Sequence, residues 1–90
     1  FFKVNAQDKV TLSGSLKDTA NGEDLIGATV YIRELSTGVA SNVYGFYSIT
    51  IPSGSYTIVV SYMGYETITK EINLSKSLTL DFKLNASATQ

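Results

Sequence analysis

Cysteine, histidine and tryptophan are absent from this chain of 90 residues, and proline and methionine occur once each. Without cysteine, neither a disulfide nor a thiolate-held metal can fasten the fold, so packing and strand hydrogen bonding must do so. The redox state of its compartment is therefore not written in the sequence. Without histidine, the usual neutral-pH base, every imidazole metal ligand and every Ser/His or Cys/His nucleophile are missing. Self-sufficient catalysis and a bound cofactor are not expected. No apolar run approaches the roughly eighteen residues of a membrane-spanning helix; the densest, Ile58-Val59-Val60, meets Ser61 at once. An excess of one charge is missing as well. Seven basic and eight acidic residues, dispersed and summing to −1, gather neither phosphates nor an anionic membrane surface. Nucleic acid is not an expected partner.

What is present suits a pleated, half-buried surface: ten Thr, seven Val, seven Ile and six Tyr, with no sustained helical period. A chain of this length encloses one core, hiding about 9,000 Å² on folding. Val10, Leu12 and Leu16 alternate with Thr11, Ser13 and Lys17, with Gly14 where a neighbouring chain can approach closely. After a polar stretch turning at Asn21-Gly22, Ala28, Val30 and Ile32 alternate with Thr29, Tyr31 and Arg33. Thr37-Gly38 reads as a turn into a weak strand over residues 39–43, and Gly45 breaks it before a strand over residues 46–51. Pro52-Ser53-Gly54 has the chemistry of a tight reversal, which predicts antiparallel pairing of the strands on either side. The second of these, with Tyr56, Ile58, Val60 and Tyr62 on one face, is expected to be central. Gly64 marks the next turn. Ile68, Ile72 and Leu74 alternate beyond it, and so do Leu78, Leu80, Phe82 and Leu84. About seven short strands and no helix predict an all-β, antiparallel β-sandwich.

The order GSLKDTANGEDLIGATVYI, then SNVYGFYSITIPSGSYTIVVSYMGYE, resembles the carboxypeptidase regulatory-like domain, a transthyretin-like Greek-key sandwich. The resemblance spans residues 10–84. Its specific part is a combination: Gly14 and Asp18, Gly27-Ala28, Asn42 and Gly45, Pro52 and Gly54, and Tyr62, Gly64 and Tyr65. The wording around Tyr44-Gly45-Phe46-Tyr47 and Tyr62-Met63-Gly64-Tyr65 is similar to the N-terminal extension of SusC/RagA-like TonB-dependent outer-membrane transporters of Bacteroidetes. That resemblance implies an exported domain on the periplasmic side of the outer membrane. Its partners are the transporter's own plug and barrel and other envelope proteins, and its role is accessory, in nutrient uptake. Val4-Asn5-Ala6 fits the small-residue pattern before a signal-peptidase cut, so residues 1–6 read as a leader remnant or arm. Residues 7–85 then form the domain, and residues 86–90 a tail or linker.

Sharper readings compete with plainer ones. Tyr44, Phe46, Tyr47, Tyr62 and Tyr65 can form a platform for sugar rings, the reading of a carbohydrate-binding or adhesive module; core filling is the commoner use of such residues. Tyr56 alternates with core aliphatics. Asp18, Glu23 and Asp24 suggest a Ca²⁺ loop but lack EF-hand spacing and a closing bidentate Glu, which favours a solvated turn and no metal. Asp18-Thr19-Ala20 resembles an O-glycan acceptor of Bacteroidetes envelope proteins, and Asn73-Leu74-Ser75 and Asn85-Ala86-Ser87 fit the N-glycosylation sequon. Gly45 and Gly54, with no following helix, do not cradle phosphate. A peptidase companion role would need His and Glu ligands on a neighbouring domain. Edge strands, expected at residues 39–43 and at the N-terminal strand, offer main-chain pairing to a partner unless short length and bulges protect them. A small-molecule ligand is not expected.

Overall fold

A computed structural model describes residues 8–87. The leader reading of residues 1–6 lies outside the described residues. Among the described residues eight strands form two four-stranded sheets. The first sheet is built on β1 (Lys9–Asp18), which pairs antiparallel with β4 (Phe46–Pro52). Its other side is shared by β7 (Leu78–Thr79) and β8 (Phe82–Leu84), both parallel to β1. In the second sheet β3 (Thr37–Ala40), β2 (Thr29–Ile32), β5 (Gly54–Ser61) and β6 (Ile68–Leu74) lie side by side, every neighbouring pair antiparallel. The β-sandwich read from alternation is the architecture found, with β5 central.

The alternating residues meet between the sheets. Leu12, Leu16, Tyr47, Ile49, Ile51, Phe82 and Leu84 of the first sheet share one core with Val30, Ile32, Tyr56, Ile58, Val60 and Leu74 of the second. Burial of such side chains stabilises by about 1.5–3 kcal/mol each and is the main force holding a chain without staples.

Several expectations are corrected. Pro52-Ser53-Gly54 is no hairpin: β4 pairs with β1, whereas β5 pairs with β2 and β6. The Ser53 N–H still bonds the Asp8 carbonyl at 2.8 Å, and Gly54 already stands opposite Leu74. The corner therefore carries the chain from one sheet to the other within a single residue. The N-terminal strand is not an edge but is paired on both sides. The turn before β3 sits not at Thr37-Gly38 but at a 3-10 turn (Arg33–Leu35) ending at Ser36, whose φ is 49°. That turn is also the one helical element among the described residues, where none was expected.

The single strand expected at residues 78–84 is split and parallel to β1. The cause is Gly14. A Cβ there would lie 2.0 Å from the Leu80 carbonyl oxygen, so only glycine lets that chain in. Leu80 donates to the Ser13 carbonyl at 2.7 Å and then turns its own carbonyl to the Tyr47 hydroxyl. The Asp81 carboxylate replaces the missing acceptor, taking the Ser15 N–H at 2.8 Å. The register is the same on both sides of the interruption, Leu12 opposite Leu78 and Leu16 opposite Phe82.

Candidate functional site

Three loops and the end of β8 converge at one end of the sandwich: residues 19–28, 41–45 and 62–67, with residues 85–87 beside them. Asp18 anchors this end. The residue is 7% exposed, and its carboxylate accepts the Ala20 and Asn21 N–H groups on one oxygen and the Tyr65 hydroxyl, at 2.5 Å, on the other. The Tyr65 hydroxyl first, and the Ala20 amide second, hold the Asp18 carboxyl below the usual carboxylate range against an opposing push from burial. The same bond pushes the Tyr65 phenol up. Asp24 pairs with Lys17 at 2.5 Å and Glu23 lies exposed in the turn. With their oxygens turned to protein donors, Asp18 and Asp24 do not converge with Glu23 on a common point, and the described residues hold no acidic or imidazole cluster fit for a metal. Thr19 of the acceptor-like triplet is exposed.

The aromatic residues are not brought together as one platform. Tyr47 is 2% exposed, drawn inward by the alternation it shares with Ile49 and Ile51; burial first, and the Asp81 charge second, push its phenol far up. Tyr62 and Tyr65 are half-buried, their ring centroids 5.5 Å apart. Tyr44 and Phe46 alone of the five stand out in solvent, 66% and 55% exposed. Phe46 borders an open recess of about 360 Å³ with Ser13, Ser48, Thr79 and Asp81. Their loop is held by Asn42, whose side-chain oxygen accepts the Tyr44 and Phe46 N–H groups. Gly45 completes it at φ 76°, where a Cβ would strike Asp24.

Sequence reasoning missed two side chains here. Ser41, buried, accepts the Ala28 N–H and donates to the Leu25 carbonyl, tying the first loop to the second. No sequence signal distinguished it from any strand-end serine. Met63, 93% exposed, stands at the tip of the third loop with Gly64 at φ 87° behind it; Gly27, at φ 82°, turns the first loop below Ile26. The residues expected to begin a tail are tied down: Ala86 bridges Tyr65, and the Ser87 N–H bonds the Gly64 carbonyl at 2.9 Å.

The sequence matches the CarboxypepD_reg-like domain over residues 12–90. The chain belongs to that family. This CarboxypepD_reg-like domain is 34% identical, over 86 residues, to the TonB-dependent receptor P39 of Formosa agariphila, covering 92% of the chain and 8% of that receptor. It is also 34% identical, over 67 residues, to the TonB-dependent receptor SusC of Bacteroides thetaiotaomicron, covering 73% of the chain and 6% of that receptor. The domain thus spans less than a tenth of the length of either relative. Wild-type catechol 1,2 dioxygenase of Acinetobacter radioresistens superposes with a TM-score of 0.70 at 14% identity, covering 91% of the domain and 53% of that enzyme. Likeness at that identity concerns the sandwich fold and carries no chemistry.

Proposed function

We propose that this domain is a non-catalytic accessory module of a TonB-dependent outer-membrane transporter, held on the periplasmic side and contacting the transporter's own plug and barrel during nutrient uptake. The observation that carries this reading is the 34% identity to two TonB-dependent receptors. The non-catalytic part is supported by how its polar groups are used. Asp18, Ser41, Glu34 and Tyr47 each close a loop or a ladder, and no buried side-chain polar atom among the described residues lacks a partner.

The test uses the whole transporter in its outer membrane, with a protease site inserted after Asn21 in the exposed first loop. Intact cells should leave the site uncut, and permeabilising the outer membrane should expose it. Deleting the domain should leave the transporter inserted at its normal level and lower uptake. Cutting in intact cells, or unchanged uptake after deletion, overturns the reading.

A second reading, carbohydrate binding, is favoured by one observation: exposed Phe46 beside the hydroxyls of Ser13, Ser48 and Thr79. Saturable binding of neutral oligosaccharides by the domain, lost in Phe46→Ala, would establish it; flat titrations would remove it.

A further inference from the structure

Among the described residues, strand β4 is paired on one side only. Two bonds at its ends fix the phase of the ladder: Ser53 N–H to the Asp8 carbonyl and Leu16 N–H to the Gly45 carbonyl, both 2.8 Å. Antiparallel pairs alternate between bonded and non-bonded, so with this register Ile51, Ile49 and Tyr47 exchange bonds with Val10, Leu12 and Gly14. Phe46, Ser48 and Thr50 consequently aim their N–H and C=O groups away from β1, at the open edge. Phe46 is already committed, since its carbonyl accepts the Asn42 N–H and its N–H bonds the Asn42 side chain. At the other end Pro52 has no N–H, and its carbonyl accepts the Tyr56 hydroxyl at 2.6 Å. Four main-chain groups remain open, the N–H and C=O of Ser48 and of Thr50, between two stops.

We infer that this edge pairs with β4 of a second copy of the chain, antiparallel about a two-fold axis through Ile49. In that register Ser48 faces Thr50 of the other copy, and each such pair exchanges both of its bonds. All four open groups are then satisfied on each chain. Sliding the pairing by two residues either way sets one open residue against Phe46 or Pro52, which have nothing left to offer. The side chains agree. Ser48 and Thr50 are exposed, and the Thr11 hydroxyl already lies 2.9 Å from that of Thr50, so pairing continues a row of hydroxyls across the axis.

Charge is compatible with this edge and disfavours that of β6. No charged residue occurs between Glu34 and Glu66, so neither β4 nor neighbouring β3 brings like charges together in a symmetric contact. Edge strand β6 does the opposite. A two-fold pairing about its middle residue would set Glu71 directly against its own copy, which is destabilising.

Four bonds across the whole interface and small side chains make this an association of the weak class, so sedimentation equilibrium should show the mass rising from one chain toward two between about 10 μM and about 1 mM. The register is testable because the chain has no cysteine. Facing residues of a bonded pair have Cα atoms about 5.5 Å apart, inside the disulfide range of about 4.4–6.8 Å, whereas same-residue diagonals lie about 7–8 Å apart or more. Mixed Ser48→Cys and Thr50→Cys chains should therefore cross-link under mild oxidation at least about tenfold more than either variant alone. The double variant Ser48→Lys/Thr50→Lys changes exposed side chains only and should stay folded, by circular dichroism, and monomeric. A native chain that keeps the mass of one copy at the upper concentration overturns the inference. Equal cross-linking in mixed and single samples, or undiminished association of the lysine variant, does so too.

Discussion

The Tyr65 hydroxyl donates to the Asp18 carboxylate at 2.5 Å, joining the exit of β1 to the loop after β5. Asp18 is held below its ordinary range in the folded chain, Tyr65 hydroxyl first among the causes. A depressed folded value means that its stabilisation is fully present above the unfolded carboxylate value, about pH 4, and is lost as pH falls through the lower folded value. Tyr65 is raised, so its contribution is present below about pH 10 and is lost above it. Tyr65→Phe removes the second and the largest part of the first, leaving the Ala20 and Asn21 amides on Asp18. Urea midpoints across pH should show a lower plateau near neutrality and a shallower fall on the acid side than the native chain. An acid limb of unchanged steepness would assign it to other carboxylates.

Gly14→Ala sets a methyl group 2.0 Å from the Leu80 carbonyl and 2.9 Å from the Asp81 carboxylate, so the chain linking β7 and β8 must move off β1. Overpacking of this kind costs about 1–3 kcal/mol or more. The comparison is Gly22→Ala, where φ is 73° but no atom lies within 4 Å; there only the left-handed backbone penalty applies, about 1–2 kcal/mol. Denaturation midpoints should rank native above Gly22→Ala above Gly14→Ala. The alanine at Gly14 should also expose the Ser13 to Ser15 amides to hydrogen exchange.

Asn42→Ala takes away the acceptor of two amides, Tyr44 and Phe46. The site is exposed, so water substitutes and the stability loss should be small, about 0.5–1.5 kcal/mol. Exchange is the sensitive measurement. Tyr44 and Phe46 amides should exchange at least about tenfold faster, in step with the weakened local opening energy, and Asn42→Asp, which keeps an acceptor oxygen, should retain most of the protection.

These positions show where the sequence was readable. Alternation is local, and it sorted Leu12, Leu16, Val30, Ile32, Ile58 and Val60 into the core. The sequence reading joins Tyr47 and Phe46 in one platform, whereas the strand buries the first and exposes the second. Turn chemistry is local too, but it does not say what the turned chain will pair with. Pro52-Ser53-Gly54 serves a hairpin and an inter-sheet corner equally well, and the choice is made by β1, some forty residues earlier, occupying the side of β4. The split at Leu80-Asp81 was hidden for the same reason. Its cause is a missing side chain at Gly14, distant in sequence. Asp18 drew attention as an acidic residue near a turn, yet its partner Tyr65 lies 47 residues on, and nothing in the spacing links them. Family wording marked both positions without saying that they touch.

Tyr47 offers the sharpest test of the core. Its ring is buried and its hydroxyl satisfies the Leu80 carbonyl at the point where Gly14 admits that chain. Tyr47→Phe keeps the ring and leaves a part-buried carbonyl without its donor, which costs about 1–3 kcal/mol at neutral pH. Burial and the neighbouring Asp81 charge raise the folded phenol far above its ordinary value. In the unfolded chain it ionises near pH 10, so the native protein's stability falls by up to about 1.4 kcal/mol per pH unit above that point on account of this one group. The phenylalanine variant lacks that fall. Melting curves at pH 7 and pH 11 should therefore show the native chain ahead at the first and its lead reduced or reversed at the second. A lead that stays constant across the two would mean that the Tyr47 phenol meets the same environment folded as unfolded, and would remove it from the core.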